Sequence, residues 1–389
     1  MPRYRIGQTT LNAALERIIG AYEDGHKIVV TSSGGKDSTV TMELALMAAQ
    51  ITGNLPLDVV HRDEEVMLPG TFEYMERVAQ RPEIRMRWVV ANQPIVNVFN
   101  RVSPYFWTFD PLLDESDWVR SPPYWINDKV GYEAVKVIPE KFIQGISSTA
   151  VYPPPEGKKL IVLNGMRASE STNRLMGVYS SKGWLNKHPN SFGSTLGKPI
   201  YDMEDADVWR AIGENGWDYN DAYDVMYRMG VTKRSMRIAP PTLMQAQWGM
   251  LELGRKAWPR WFDKVCTRLP GVRQVGTFGK YAVYPNRRSE ESWEECYQRL
   301  CIDEAPEWIR DRATALREKV LHRHSAHATH PIPQSKACER CGTVGDWRRM
   351  TKIMYYGDPF TSNCGGYLPV IEPEFFREGA GTWGGKPTW

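Results

Sequence analysis

Three short apolar runs, "KIVVTS" (27–32), "LPLDVVH" (55–61) and "IRMRWVV" (84–90), alternate with helical segments in the first 90 residues. Thr10 can cap "LNAALERIIGAY", whose apolar residues recur at helical spacing. Ser38 to Gln50 is apolar nearly all round, the pattern of a buried helix. Pro69 suits the first turn of a third helix, "GTFEYMERVAQ". A β-α-β-α-β order of this kind implies an α/β fold: a doubly wound, mainly parallel sheet with right-handed crossovers. Residues 100–158 carry "SPYFW", "SPPYW" and "YPPPEGKK", punctuation that predicts an irregular insertion. The sheet is expected to resume at "KLIVLNGMR" (159–167), and Asp205 can cap a helix ending by Gly213 or Gly216. The expected division is an α/β domain over 1–220, a helical, Trp-rich basic region over 221–310, and a Cys/Gly-rich tail over 311–389.

The 389 residues are enough for one large or two ordinary domains. No apolar run approaches the length of a membrane span, and "MPRYRIGQTT" lacks the apolar core of a secretory signal, so a cytoplasmic protein is expected. Net charge is +3 but uneven. Between Asp224 and Arg288 stand 13 Lys/Arg against 3 acids, a local +10 that leaves −7 for the remainder. Trp248, Trp258, Trp261, Tyr281 and Tyr284 are interleaved with these charges. Two readings stand: a solvated basic face over an aromatic core, or a surface for nucleic acid, where cations track phosphates and rings stack on bases.

The first strand runs into "SSGGKDS" (32–38). A Walker loop needs glycine where Val30 stands and Ser or Thr where Asp37 stands, so that pattern fails twice. No G-x-G-x-x-G is present either. What remains is a strand, a Ser-rich turn with two glycines, and a helix opening at Asp37 and Ser38. Gly34 and Gly35 allow close backbone approach. Helix-start amides with Ser32, Ser33, Ser38 and Thr39 hydroxyls can grip an anion, and Lys36 adds a point charge for phosphate. After the second strand, "HRDEEVML" offers Asp63, Glu64 and Glu65. These could hold Mg²⁺ at the ligand edge of the sheet, or simply favour a helix start.

SGGKDS resembles the loop of the PP-loop (ATP pyrophosphatase) superfamily, which includes tRNA thiolation enzymes, amidotransferase synthetases and sulfonucleotide reductases. "LNGMRASESTNR" (163–174) resembles the G-x-R-x-x-E-S-x-x-R segment of PAPS-reductase-like proteins, and "KPIYDMEDADVWRAI" (198–212) their P-I-x-x-W-x-x-x-D-V-W element, with Met203 in place of Trp. "AYDVMYRMGVTKRSMRIAPP" (222–241) resembles a subgroup that includes a prophage-encoded co-regulator often found beside a ParB-like partner. The resemblance covers about residues 25–290 and implies an adenine nucleotide alpha hydrolase-like fold. It implies that Ser32 to Ser38 hold the pyrophosphate of ATP or a related adenine nucleotide, with Mg²⁺ placed by Asp63 or Glu64. Gly165, Arg167 and Arg174 would then line the α-phosphate or acceptor with Glu170 orienting one of the arginines, Arg234 and Arg237 would add to the anion site, and Lys36, Arg167 and Arg174 would be catalytic. The implied reaction is cleavage of the α–β bond to adenylylate an acceptor. Rival readings are a sulfonucleotide reductase or sulfur-transfer enzyme acting on nucleic acid, and a nucleotide-gated regulator without turnover.

The E-C-G-x-H cysteine segment of assimilatory reductases is missing: "EECYQRL" and "SNCGGYL" do not fit it. Six cysteines are too few for a disulfide scaffold in a chain of this length. "CERC" (338–341) has the spacing of a zinc or iron–sulfur ligand pair. With Cys338 and Cys341, Cys364 is the expected third ligand, and Cys296, Cys301, His322, His324, His327 or His330 the fourth. Cys266 is expected in the core.

Overall fold

The computed structural model describes residues 7–126, 145–244 and 247–378, so the stretch 127–144 of the expected insertion lies outside the described residues. The chain forms two compact units: one takes in the chain up to Gln93 and Thr108–Pro240, the other Pro94–Trp107 and the chain from Pro241 onward.

The first unit is α/β. In chain order it contains α1 (Thr10–Glu23), β1 (Lys27–Thr31), α2 (Lys36–Ile51), β2 (Leu57–Arg62), α3 (Thr71–Ala79) and β3 (Ile84–Val89). The hairpin β4 (Pro94–Val96) and β5 (Tyr105–Trp107) belongs to the second unit. The first unit continues with β6 (Leu160–Leu163), α4 (Thr172–Ser181), β7 (Ser194–Gly197), α5 (Asp205–Asn215) and α6 (Ala222–Arg228). Five parallel strands lie in the order β3-β2-β1-β6-β7, wound outward from β1 in both directions.

Period-2 alternation sorts the strand side chains. Ile28, Val30, Val59, Met86, Ile161 and Leu163 share one core with α1, α2, α3 and α5, whereas Val29, Val60, Val89, Leu160 and Val162 pack with Ile146 and Tyr152. Helix α2 is buried on nearly every side, as its sequence requires. Pro69 falls two residues ahead of α3, which starts after Gly70 at φ 95°. Helix α5 ends on Gly216 at φ 63°, but its N-cap is Glu204, which releases the Asp205 carboxylate for the site described below.

Asp58 is a buried charge within this sheet. Lys27 Nζ lies 2.5 Å from its Oδ2 and Arg85 Nη2 donates to the same oxygen at 2.7 Å. Burial acts to raise the Asp58 pKa, but the hydrogen bonds from Arg85 and Lys27 outweigh it and hold the carboxyl below its ordinary value. A depressed folded-state pKa contributes stability that is present above the unfolded value, near pH 4, and lost as pH falls through the folded one. Asp58→Asn is therefore expected to cost about 2 kcal/mol at neutral pH. Urea midpoints of wild type and variant should converge below about pH 4.

Apart from the β4–β5 hairpin, the second unit is helical among the described residues. Arg255, Lys256, Arg260, Lys264 and Arg273 are exposed on Trp248–Ala257, Pro259–Arg268 and Val272–Phe278, while Leu251, Phe262, Val265 and Val275 are buried. Between 248 and 278 these cations are thus exposed over an apolar interior, with Phe278 and Tyr281 also exposed. Among the described residues no helix is long and apolar enough to cross a membrane.

Candidate functional site

In a sheet wound outward from β1, the chain leaves β1 and β6 toward opposite flanks, and the crevice opens at their carboxyl ends. The Ser32–Ser38 loop follows β1 and the Gly165–Arg174 segment follows β6, so topology brings the two sequence motifs to one place.

Each glycine there has a separate task. Gly34 sits at φ 75°, and a Cβ on it would lie 2.8 Å from Thr71 Cγ2. Gly165 needs no unusual φ, but a Cβ there would lie 2.5 Å from the Asp37 carbonyl carbon and 2.7 Å from Ser38 N. The chain leaving β6 therefore runs directly against the first turn of α2. The amides of Asp37 and Ser38 lie in that turn, where the helix supplies no acceptor. Ser38 Oγ donates to Gly35 O at 2.8 Å and lies 3.4 Å from Ser33 Oγ. Ser32 is buried, and its carbonyl is 2.9 Å from His61 Nδ1, which gives His61 a structural role.

The loop is buttressed from residues the motifs did not single out. Asn220 Nδ2 donates to Gly34 O at 3.1 Å and to Thr71 Oγ1 at 2.9 Å, and the Lys36 amide donates to the Tyr223 hydroxyl at 2.8 Å. Both side chains are buried. These bonds keep the chain beyond position 220 within the first unit, which runs to Pro240.

Around the loop lies a network of charges. Lys36 Nζ is 3.0 Å from Asp37 Oδ2 and 3.5 Å from Asp205 Oδ1. Arg167, 3% exposed, places Nε 2.7 Å from Asp37 Oδ1 and donates from Nη2 to Asp205 Oδ1 at 2.7 Å. The Nε contact is an ion pair without hydrogen-bond alignment. Glu170 accepts from the Arg167 amide at 3.2 Å and pairs with Arg174. Burial, then the positive charges of Arg237 and Arg167, lower the Arg174 pKa from its ordinary value, against the pull of Asp37. Arg167, Arg174 and Arg237 thus share one electrostatic neighbourhood with the loop. The Arg234 side chain lies outside the described residues.

Arg167 and Arg174 also line a cleft of about 580 Å³, with Asn173, Lys187, His188 and Lys198. Lys198 Nζ donates to Asn186 Oδ1 at 2.8 Å, and burial lowers its pKa. Nothing in the local sequence distinguished Lys198.

The acidic cluster after β2 is differently engaged than expected. Asp63 is fully buried and accepts from Arg120, from Trp88 Nε1 at 3.0 Å and from the Glu65 amide at 3.0 Å. Burial acts to raise its pKa, yet the Arg120 charge and these hydrogen bonds leave it lowered. Glu64 pairs with Arg62, and Glu65, at φ 57°, accepts from the Phe109 amide at 2.7 Å and the Val119 amide at 3.0 Å. Hard cations need free oxygen ligands, and these carboxylates already have protein donors, so they do not fit the expected Mg²⁺ role. Asp63 and Glu65 tie the 108–120 segment to the carboxyl end of β2.

All six cysteines lie in the second unit. Cys364 corrects an expectation: its Sγ sits in an apolar cluster with Cys296 and Cys301, 3.9 Å from Arg312 Nη2, rather than with Cys338 and Cys341. Burial pushes the Cys364 thiol up to about 12 and the Cys266 and Cys296 thiols up to about 11, so all three stay protonated at neutral pH. Cys266 is half-buried.

Residues 27–107 match the phosphoadenosine phosphosulfate reductase domain family. Over 376 residues the chain is 25% identical to the uncharacterized protein YbdN of Escherichia coli (strain K12), covering 90% of this chain and 88% of that one. Among solved structures it is similar to Candida glabrata FMN adenylyltransferase at 12% identity and a TM-score of 0.36, spanning 55% of this chain and 57% of that one. It is also similar to phosphoadenylyl-sulfate (PAPS) reductase from Candida auris, at 15% identity and a TM-score of 0.31, over 55% of this chain and 84% of that one. The U34-tRNA thiolase NcsA from Methanococcus maripaludis, solved with its 4Fe–4S cluster, matches at 13% identity and a TM-score of 0.33, over 68% of this chain and 80% of that one.

Proposed function

We propose that the first unit binds ATP or a related adenine nucleotide and transfers its adenylyl group to an acceptor held in the cleft beside Arg174. The observation that carries this reading is the Lys36–Asp37–Arg167–Asp205 network at the crevice between β1 and β6. Two carboxylates hold two cations in place, so little reorganisation is needed when phosphate arrives. The match of residues 27–107 to the PAPS reductase domain family supports an adenine nucleotide as the ligand.

In this reading the Asp37 and Ser38 amides, the Ser33 hydroxyl and Lys36 cradle the β,γ-phosphates. An acceptor oxygen or nitrogen attacks the α-phosphorus, the α–β bridging bond breaks, and pyrophosphate leaves on the loop. Arg167 meets the charge that grows on the bridging oxygen, while Arg174 and Lys198 hold the acceptor's anionic group. Transferable chemistry comes from the nucleotide; this chain orients it and neutralises charge.

The test is exchange of labelled pyrophosphate into ATP with a panel of anionic acceptors. Wild type should support acceptor-dependent exchange, and Lys36→Ala should reduce it to background. Equal exchange by the two proteins would overturn the reading.

A further inference from the structure

The long helix Glu307–Ser325 carries His324 in its last turn, and the chain then bends so that the His327 amide donates to the His324 carbonyl at 3.1 Å. The two rings end 5.4 Å apart, centroid to centroid. Opposite them, Cys338-Glu-Arg-Cys341 forms a tight turn. The Cys341 and Gly342 amides donate to the Cys338 carbonyl at 3.0 and 3.2 Å, and the Cys338 amide donates to Gly345 O at 3.0 Å. Gly342, directly after the second cysteine, sits at φ 65°, and a Cβ on Gly345 would lie 2.6 Å from Cys338 O. The turn is thus built by glycines so that both sulfurs emerge on one side.

His327 Nε2 lies 3.3 Å from Cys338 Sγ and 3.6 Å from Cys341 Sγ, and His324 Nδ1 lies 3.5 Å from Cys341 Sγ. One ligand atom from each of the four residues falls within 4.8 Å of every other. A tetrahedral zinc with bonds of about 2.3 Å to sulfur and 2.0–2.1 Å to nitrogen sets neighbouring S and N atoms roughly 3.5 Å apart. The observed separations bracket that value. The outer contacts also suit a metal: His324 Nε2 is 2.9 Å from the His330 carbonyl, so this nitrogen carries the proton and Nδ1 presents its lone pair to the cysteines. Arg323 Nη2 donates to Arg340 O at 3.1 Å, which ties the turn to the helix.

We infer that His324, His327, Cys338 and Cys341 hold one zinc ion that staples the end of the 307–325 helix to the cysteine turn. Two imidazoles and two thiolates fill a tetrahedron and leave no open position, the arrangement of a structural site. Sulfur and imidazole ligands disfavour Mg²⁺ and Ca²⁺. An iron–sulfur cluster does not fit, because even the type with two histidines puts them on one iron and the cysteines on the other. Here His327 Nε2 lies against both sulfurs. On binding, each thiol gives its proton to solvent and the two thiolates balance the ion's charge. The inference stands apart from the nucleotide site, and either can fail without the other.

The test uses the full chain purified under reducing conditions from medium containing zinc and iron. Elemental analysis should find about one zinc per chain and no stoichiometric iron. Cobalt(II) in its place should give the visible spectrum of a tetrahedral site with charge-transfer bands from two thiolates. Cys338→Ser and His327→Ala should each lower zinc content roughly tenfold or more, and Cys364→Ala should retain it. Should the ligand variants not fold, the cobalt spectrum of the wild-type chain decides. An octahedral cobalt spectrum, iron–sulfur absorbance, a metal-free chain, or full zinc retention in folded Cys338→Ser would each overturn the inference.

Discussion

Arg167→Ala is expected to lower acceptor-dependent pyrophosphate–ATP exchange by about two to three orders of magnitude, the usual loss when one preorganised charge donor is removed. The guanidinium is 3% exposed and is positioned by two carboxylates, Asp37 and Asp205, while its own amide is held by Glu170. Its Nη1 donates to Ser169 Oγ at 3.2 Å and to Met203 O at 3.5 Å, so the planar fork is held on every side. Lysine cannot reproduce this, so Arg167→Lys should recover little of the loss. The defect should fall mainly on kcat, because charge on the bridging oxygen develops only as the bond breaks. Removing Arg167 also leaves Asp37 and Asp205 facing each other, so Arg167→Ala with Asp205→Asn controls for repulsion. If the double variant regained wild-type exchange, Arg167 would be a structural counter-ion only.

Gly165→Ala should destabilise the first unit by about 3 kcal/mol, at the upper end for overpacking. The atoms that the new methyl group would meet, at 2.5 to 2.7 Å, are backbone atoms of Asp37 and Ser38, which cannot rotate aside as a side chain would. Either β6 or the start of α2 must move. At roughly 2–4 °C per kcal/mol for a unit of this size, the melting temperature should fall by about 6–12 °C. Because the displaced atoms belong to the loop proposed to hold the nucleotide's phosphates, nucleotide affinity should fall with stability. Gly213→Ala is the contrast: this glycine lies inside α5 with nothing within 4 Å of its Cβ position. It should stabilise by up to about 1 kcal/mol. A similar melting temperature for the two variants would show that the close approach at Gly165 relaxes without cost.

Much of the first unit was legible in the chain. The apolar runs at 27–32, 55–61 and 84–90 became β1, β2 and β3 within two residues at each end, and α2 is buried nearly all round as its composition demands. Local patterns of this kind report on neighbours a few positions away, and there the prediction is strongest. Asp205 shows the limit. Its place at a helix start suggested a cap, but its carboxylate goes to Arg167, 38 positions earlier, and to Lys36. Asn220 and Tyr223 lie 186 and 187 positions from their loop partners, and although Tyr223 falls in the 222–241 stretch, nothing local announces either bond. Asp63 and Glu64 carried a misleading one, since nothing nearby in sequence announces that Arg120 would take the Asp63 carboxylate.

By itself the sequence determined the parallel sheet, the glycine–lysine loop and the arginine motif. Each rests on periodicity, on conformations few residues allow, or on the few residue types able to grip phosphate. Tertiary structure alone decided which carboxylates stand against Lys36 and Arg167, and which two of the candidate histidines and cysteines join Cys338 and Cys341. Such choices depend on where distant segments come to rest when the core packs, and side-chain charge or ligand chemistry specifies only what a residue can do once it arrives.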